Sequence, residues 1–287
     1  YQGNLAAWIA RKYFYRKALL VWGIRHSLYD IYKETPRMRF TIKLNKVLSK
    51  SPDAVVYNSI VSRGQHKDYG FCDKKSTLIS NGFDSILFSP SAIISKSLRQ
   101  ELSIPISSLV IGNFGRFHPM KNHKGFTLAA IDLLLINKNI HFLLVGNGVD
   151  SSNVELIELI PKQFLKSFHL LGARSDIPDL MRALDILCVS SLWGEGFPNV
   201  IGEAMSTEIV CLSTDVGDSQ YVMGDFGIVF PSEDHNSLVC ALKNAISMSK
   251  ADRSELGEAA RQRIMTSYSI GLMRKSFLDL YDQLFNK

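Results

Sequence analysis

The chain has 287 residues, 46% hydrophobic and 21% charged, with a formal net charge of +6. That balance excludes disordered, collagen-like and low-complexity classes and leaves room for one large or two modest globular domains. Cys72, Cys188, Cys211 and Cys240 show no C-x-x-C or Cys/His spacing, which argues against a zinc site or a disulfide framework and points to a reducing, cytosolic setting.

In chain order, the first segment predicts a helix over 5–15, a strand over 18–24, a basic helix over 37–50, a strand over 54–57, a helix near 59–69 and a strand over 76–79. The chain opens at Tyr1, inside an amphipathic pattern, so earlier residues are expected to be missing. Basic residues (Arg11, Lys12, Arg16, Lys17, then 37–50) alternate with Trp8, Tyr13, Phe14, Tyr15, Trp22 and Phe40. That mixture suits a membrane surface at the cytoplasmic face, with a solvated basic face as the plain alternative. A nucleic-acid partner has only net charge in its favour and no recognised module, so none is expected. Turn signals at Asn81-Gly82 and Ser89-Pro90 mark a hinge.

The second segment alternates. Apolar runs at 109–111, 141–145, 168–171, 186–189 and 209–212 predict buried parallel strands, and helical patterns lie between them at 124–136, 154–164, 177–184 and 198–206. The longest apolar stretch, 128–136, is interrupted by Asp132 and is shorter than the about 20 residues needed to cross a bilayer. Helices over 237–248, 254–267 and 272–285 close the chain. The expected fold is α/β and doubly wound, with ligand chemistry outside the carboxyl ends of the strands. The domains are expected at 1–90, 91–267 and a final helical segment 268–287 that packs back toward the first.

Three motifs follow strand ends. Gly115-Arg116 and Lys121 place two cations beside a glycine turn, suited to a diphosphate or merely to solvent. Gly146-Asn147-Gly148 marks a close backbone approach or a sharp turn. Neither Gly112-x-x-Gly115 nor this triplet matches G-x-G-x-x-G, which disfavours a nicotinamide or flavin dinucleotide. In the third motif, Gly194-Glu195-Gly196-Phe197-Pro198-Asn199 leads into a helix carrying Glu203, with Pro198 expected in its first turn. Two carboxylates at that offset can accept hydrogen bonds from hydroxyls at separate points of one elongated ligand; otherwise one serves the helix dipole and the other is solvated.

Taken together, Gly115-Arg116 with Lys121, the Glu195-x7-Glu203 pair within E-G-F-P-N-x-x-x-E-A-M, the Leu171-Gly172 to Asp176-Ile177-Pro178-Asp179-Leu180 turn, and Ser80-Asn81-Gly82-Phe83-Asp84 with Phe88-Ser89-Pro90 resemble the family 4 retaining glycosyltransferases of bacterial polysaccharide and lipopolysaccharide type. The resemblance implies a GT-B fold of two Rossmann-like domains with parallel sheets, the N-terminal one incomplete. It implies metal-independent transfer from a UDP- or GDP-linked sugar to a glycan or lipid-linked acceptor, with no further cofactor. Arg116 and Lys121 would contact the diphosphate, Glu195 the donor sugar and Glu203 the ribose. Gly115, Gly146, Phe197, Pro198 and Asn199 would shape the surrounding loops, with Arg174 and Asp176 near the base. His26 stands where many members carry a histidine near the transferred sugar. Ser80 and Phe83 replace the usual Pro and Val, which is expected to alter hinge geometry rather than chemistry. A nucleotide-sugar binder without transfer and an enzyme resembling UDP-N-acetylglucosamine 2-epimerase are the competing readings.

Overall fold

The computed structural model describes residues 1–286, which divide into two compact units. Of the described residues, the first contains 1–82, 194–197 and 270–286; the second contains 83–193 and 198–269.

The first unit starts with α1 (Gln2–Tyr13), β1 (Val21–Ile24), α2 (Pro36–Leu48), β2 (Ala54–Tyr57), α3 (Ile60–Tyr69) and β3 (Ser76–Leu78). The strands form a parallel sheet in the order β1-β2-β3. The expected strand over 18–24 is shorter at its start because the Leu20 amide donates to the Asp53 carboxylate, 2.8 Å away, instead of entering the ladder. Thr35 caps α2, with Pro36 in its first turn, and Ser59 caps α3, which ends on Gly70 in the left-handed region at φ 101°. Trp22, Ile24, Ile42, Val55 and Tyr57 form this unit's core.

The second unit contains α4 (Ala92–Glu101), β4 (Leu109–Phe114), α5 (His123–Ile136), β5 (Ile140–Val145), α6 (Val154–Ile157), β6 (Phe168–Leu170), α7 (Ile177–Arg182), β7 (Ile186–Val189), α8 (Asn199–Ser206), β8 (Val210–Thr214), α9 (Ser219–Met223), β9 (Ile228–Phe230), α10 (His235–Ser247) and α11 (Lys250–Ser267). The helix α12 (Ile270–Phe285) belongs to the first unit, where its Met273 sulfur accepts from the Gly82 amide at 3.2 Å.

Six parallel strands run in the order β6-β5-β4-β7-β8-β9. Numbered within the unit, this is 3-2-1-4-5-6, the doubly wound order that reverses direction between its first and fourth strands. The core packs Phe126, Leu133, Phe142, Leu144, Cys188 and Leu242 at full burial. Two further expectations are corrected. The helix at 154–164 is only α6 followed by a 3-10 turn over Lys162–Ser167, because Pro161 lacks an amide proton and disfavours helix at the preceding residue. Pro198 is the N-cap of α8 and not inside its first turn. The short elements α4, α9 and β9 were not anticipated. Among the described residues no helix is long and apolar enough to cross a membrane.

Phe83, the residue that departs from the family's usual valine, has a structural counterpart. A Cβ on Gly202 of α8 would lie 2.1 Å from the Phe83 ring, so the aromatic packs in the space left by the glycine. We expect Gly202→Ala to destabilise the protein by about 1–3 kcal/mol through overpacking. Adding Phe83→Val should recover most of that loss in a double-mutant cycle read by urea denaturation. Additive losses would show that the two residues are not coupled.

Candidate functional site

The strand order points to the place where the sheet changes direction, outside the carboxyl ends of β4 and β7. The loop after β4 carries Gly115, Arg116 and Lys121, while the segment after β7 leads into α8 with Pro198, Asn199 and Glu203. Buried hydrogen bonds fasten these two loops to each other. Asn113, on β4 and 4% exposed, donates its amide to the Cys188 carbonyl (2.9 Å) and to Ser190 Oγ (3.1 Å). Ser190 Oγ in turn donates to the Lys121 carbonyl at 3.0 Å, and the Leu192 amide donates to the Met120 carbonyl at 2.8 Å. Asn113 and Ser190 did not emerge from motif reading. The available signal was a polar residue inside the apolar run 110–114 and a serine directly after the run 186–189.

Glycine allows the backbones to converge here. Gly146, just past β5, has φ 155°, and a Cβ there would lie 1.9 Å from the Gly115 carbonyl oxygen and 2.9 Å from the Arg116 nitrogen. Its amide donates to the Gly172 carbonyl (2.8 Å), and the Gly115 amide donates to the Val145 carbonyl (2.8 Å). The Lys121 stem lies 3.3 Å from where a Gly115 Cβ would be. Arg116 is exposed and makes no ion pair or side-chain hydrogen bond among the described residues. Beneath this loop, His123 is 1% exposed and its pKa is lowered to about 4, chiefly by burial and further by the Lys121 charge, with the Gly115 backbone opposing. It stays neutral near pH 7, so Lys121 has no imidazolium neighbour at this position.

No side chain caps α8, so its first-turn amides remain oriented toward the loop side. Glu203 is half-buried, and desolvation raises its pKa. A raised carboxyl pKa means the folded state binds the proton more tightly, so stability falls as pH climbs from the ordinary carboxylate range through the folded value. Glu203→Gln is therefore expected to be more stable than the parent at pH 7, with a flatter stability profile above pH 5, and to bind nucleotide about tenfold more weakly. Thermal melts over pH 4–8 together with calorimetry would check both halves. Equal nucleotide affinity would remove Glu203 from the site.

Arg174, on the loop after β6, makes a bidentate pair with Asp176 at 2.8 and 2.6 Å, which holds the Asp176 carboxyl below its usual range. Its guanidinium is thus occupied, leaving mainly backbone to face a ligand. In the first unit, Glu195 and Phe197 are buried, and a Cβ on Gly196 would lie 3.7 Å from the Arg25 carbonyl oxygen and 3.8 Å from Ser59 Cβ. His26, next to Arg25, has its Nε2 2.8 Å from Glu34 Oε1, and its carbonyl accepts from Ser62 Oγ at 2.6 Å. The predicted residues therefore form two groups, with Glu195, Phe197 and His26 in the first unit and the remainder in the second. Among the described residues no three His, Cys, Asp or Glu side chains gather as metal ligands.

The second unit thus has a Rossmann-type doubly wound sheet, and the fold is α/β of the GT-B kind, with parallel sheets and two Rossmann-like domains. Residues 108–248 match the family model for glycosyl transferases group 1, so this region is a domain of that group. The chain is similar to the Escherichia coli UDP-Gal:alpha-D-GlcNAc-diphosphoundecaprenol alpha-1,3-galactosyltransferase, with 31% identity over 222 residues, covering 74% of this chain and 56% of that enzyme. It therefore spans about half the length of that relative. Among solved structures, it is similar to Anabaena HepE in complex with UDP, with a TM-score of 0.83, 22% identity, and coverage of 98% of this chain and 75% of that one. A glycosyltransferase from Rickettsia africae gives a TM-score of 0.81 with 20% identity, covering 98% and 74%.

Proposed function

We propose that the chain transfers a hexosyl unit from a UDP-linked donor to a lipid-linked saccharide, retaining anomeric configuration and requiring no metal. The observation that carries the reading is the fastening of the Gly115–Lys121 loop to the segment after β7 at the sheet's reversal point, with Arg116, Lys121 and α8 on that edge. The galactosyl transfer from UDP-Gal to a diphosphoundecaprenol-linked sugar by the E. coli relative, and the UDP bound in HepE, support the choice of nucleotide and acceptor class.

Cleavage of the bond between the anomeric carbon and the diphosphate leaves negative charge on phosphate oxygen. Arg116, Lys121 and the α8 amides stabilise that charge, which is most developed in the transition state. Glu203 accepts from ribose hydroxyls, Glu195 accepts from donor-sugar hydroxyls, and His26 lies near the transferred sugar. The acceptor hydroxyl attacks from the face the diphosphate leaves, and its proton passes to the departing phosphate oxygen. A membrane-surface role for the first unit is part of the same reading, supported by exposed Tyr13, Phe14 and Tyr15 beside Arg16 and Lys17.

Calorimetry with UDP and GDP, paired with a transfer assay using UDP-hexoses and a polyprenyl-diphosphate saccharide, tests the proposal. UDP binding with product of retained configuration supports it. UDP binding without product would reduce the protein to a binder, and no nucleotide binding would refute the site.

A further inference from the structure

The opposite, amino-terminal edge of the second unit's sheet holds a separate cavity of about 520 Å3 between α4, α11 and the starts of β4 and β7. Its lining includes four basic side chains, Lys96, Arg99, Lys250 and Arg253, and one acid, Asp185, so the positive charge is in excess. The acid is already committed. Asp185 Oδ2 accepts from Arg99 Nη2 at 2.9 Å and from the Val110 amide at 2.8 Å, while Arg99 also donates to the carbonyls of Ala183 and Ser108, each at 3.0 Å. Arg99, which is buried, and the half-buried Asp185 therefore form a neutral brace between α4 and the two central strands.

Lys96, Lys250 and Arg253 remain without an ion-pair partner among the described residues, and Arg253 spends one donor on the Met248 carbonyl. Cations gathered around a concavity focus a positive potential into it, and the arginine fork suits phosphate oxygens. Ile106, Leu109 and Leu184 add an apolar floor, and the volume falls in the range of small-molecule sites. We propose that this cavity is a second ligand site that takes a phosphorylated small molecule with an apolar or ring-like body, held through phosphate by Lys96, Lys250 and Arg253. It lies at the other end of β4 from the nucleotide edge, about 20 Å away by the rise of six strand residues. Its occupant is therefore distinct from the donor.

Pyrophosphate is the probe, since both edges would bind it. In titration calorimetry at low salt, Arg116→Gln/Lys121→Gln should retain one pyrophosphate site, and adding Lys96→Gln/Lys250→Gln/Arg253→Gln should weaken that site at least tenfold. Acetylation footprinting of the natural chain, read by mass spectrometry, gives a second measurement that needs no variant to fold. Protection of Lys96 and Lys250 by pyrophosphate assigns a soluble ligand. Protection only by phosphatidylglycerol vesicles assigns a lipid headgroup as the phosphate source. Protection by neither, or loss of all pyrophosphate binding in Arg116→Gln/Lys121→Gln alone, overturns the site.

Discussion

Lys121→Ala is expected to lower kcat for transfer by about 100-fold or more, the scale seen when one preorganised charge-stabilising group is removed from an active site. The loss should appear mainly in kcat, because negative charge on the diphosphate grows as the glycosidic bond breaks. The structure adds a sharper form of this prediction. Lys121 is held through its own carbonyl by Ser190 Oγ, which is itself held by Asn113. Ser190→Ala should therefore slow transfer about tenfold with Lys121 present and have almost no further effect in the Lys121→Ala background. Steady-state kinetics on the two single variants and the double variant would decide the matter. Equal fold-losses in both backgrounds would mean that Ser190 acts on stability and not through the lysine.

Gly146→Ala should be the most damaging single methyl in the molecule. The new carbon would sit 1.9 Å from the Gly115 oxygen and 2.4 Å from its carbonyl carbon, and at φ 155° alanine is strained even in open space. The obstruction is backbone, so no side chain can rotate away. Either β5 and β4 separate at their carboxyl ends or the Gly115–Arg116 turn moves outward. We expect a stability loss of about 2–4 kcal/mol. We also expect the remaining folded protein to lose UDP affinity more than tenfold, because the amide and cation positions shift together. Denaturant titration and calorimetry on the same preparation would test both effects, and unchanged UDP affinity would show that the turn does not contact the ligand.

Much of this arrangement was legible in the residues. The apolar runs 109–111, 141–145 and 186–189 form β4, β5 and β7, with β4 extending three residues further through Gly112, Asn113 and Phe114 and β5 starting one residue earlier at Ile140. Local backbone rules also placed the glycines, since Gly146 has to accept a φ that other residues avoid. Short elements were harder to read. Three residues of β9 and five of α9 contain too little periodicity to stand out, and they hold their shape through pairing with β8 and packing on α8.

By itself the sequence determined the doubly wound class, the residue types capable of holding a diphosphate and the loops that bear them, because periodicity, glycine and charge act over a few neighbouring positions. Tertiary structure alone decided that the loops after β4 and β7 are joined by Asn113 and Ser190 and that the segment 194–197 groups with the first unit. Those outcomes depend on contacts between residues about 60 to 170 positions apart in several cases, such as Ser190 with Lys121 and Glu195's segment with residues 25 and 59. A hydrogen bond or a buried methyl acts through distance in space, and no local pattern encodes which remote partner arrives.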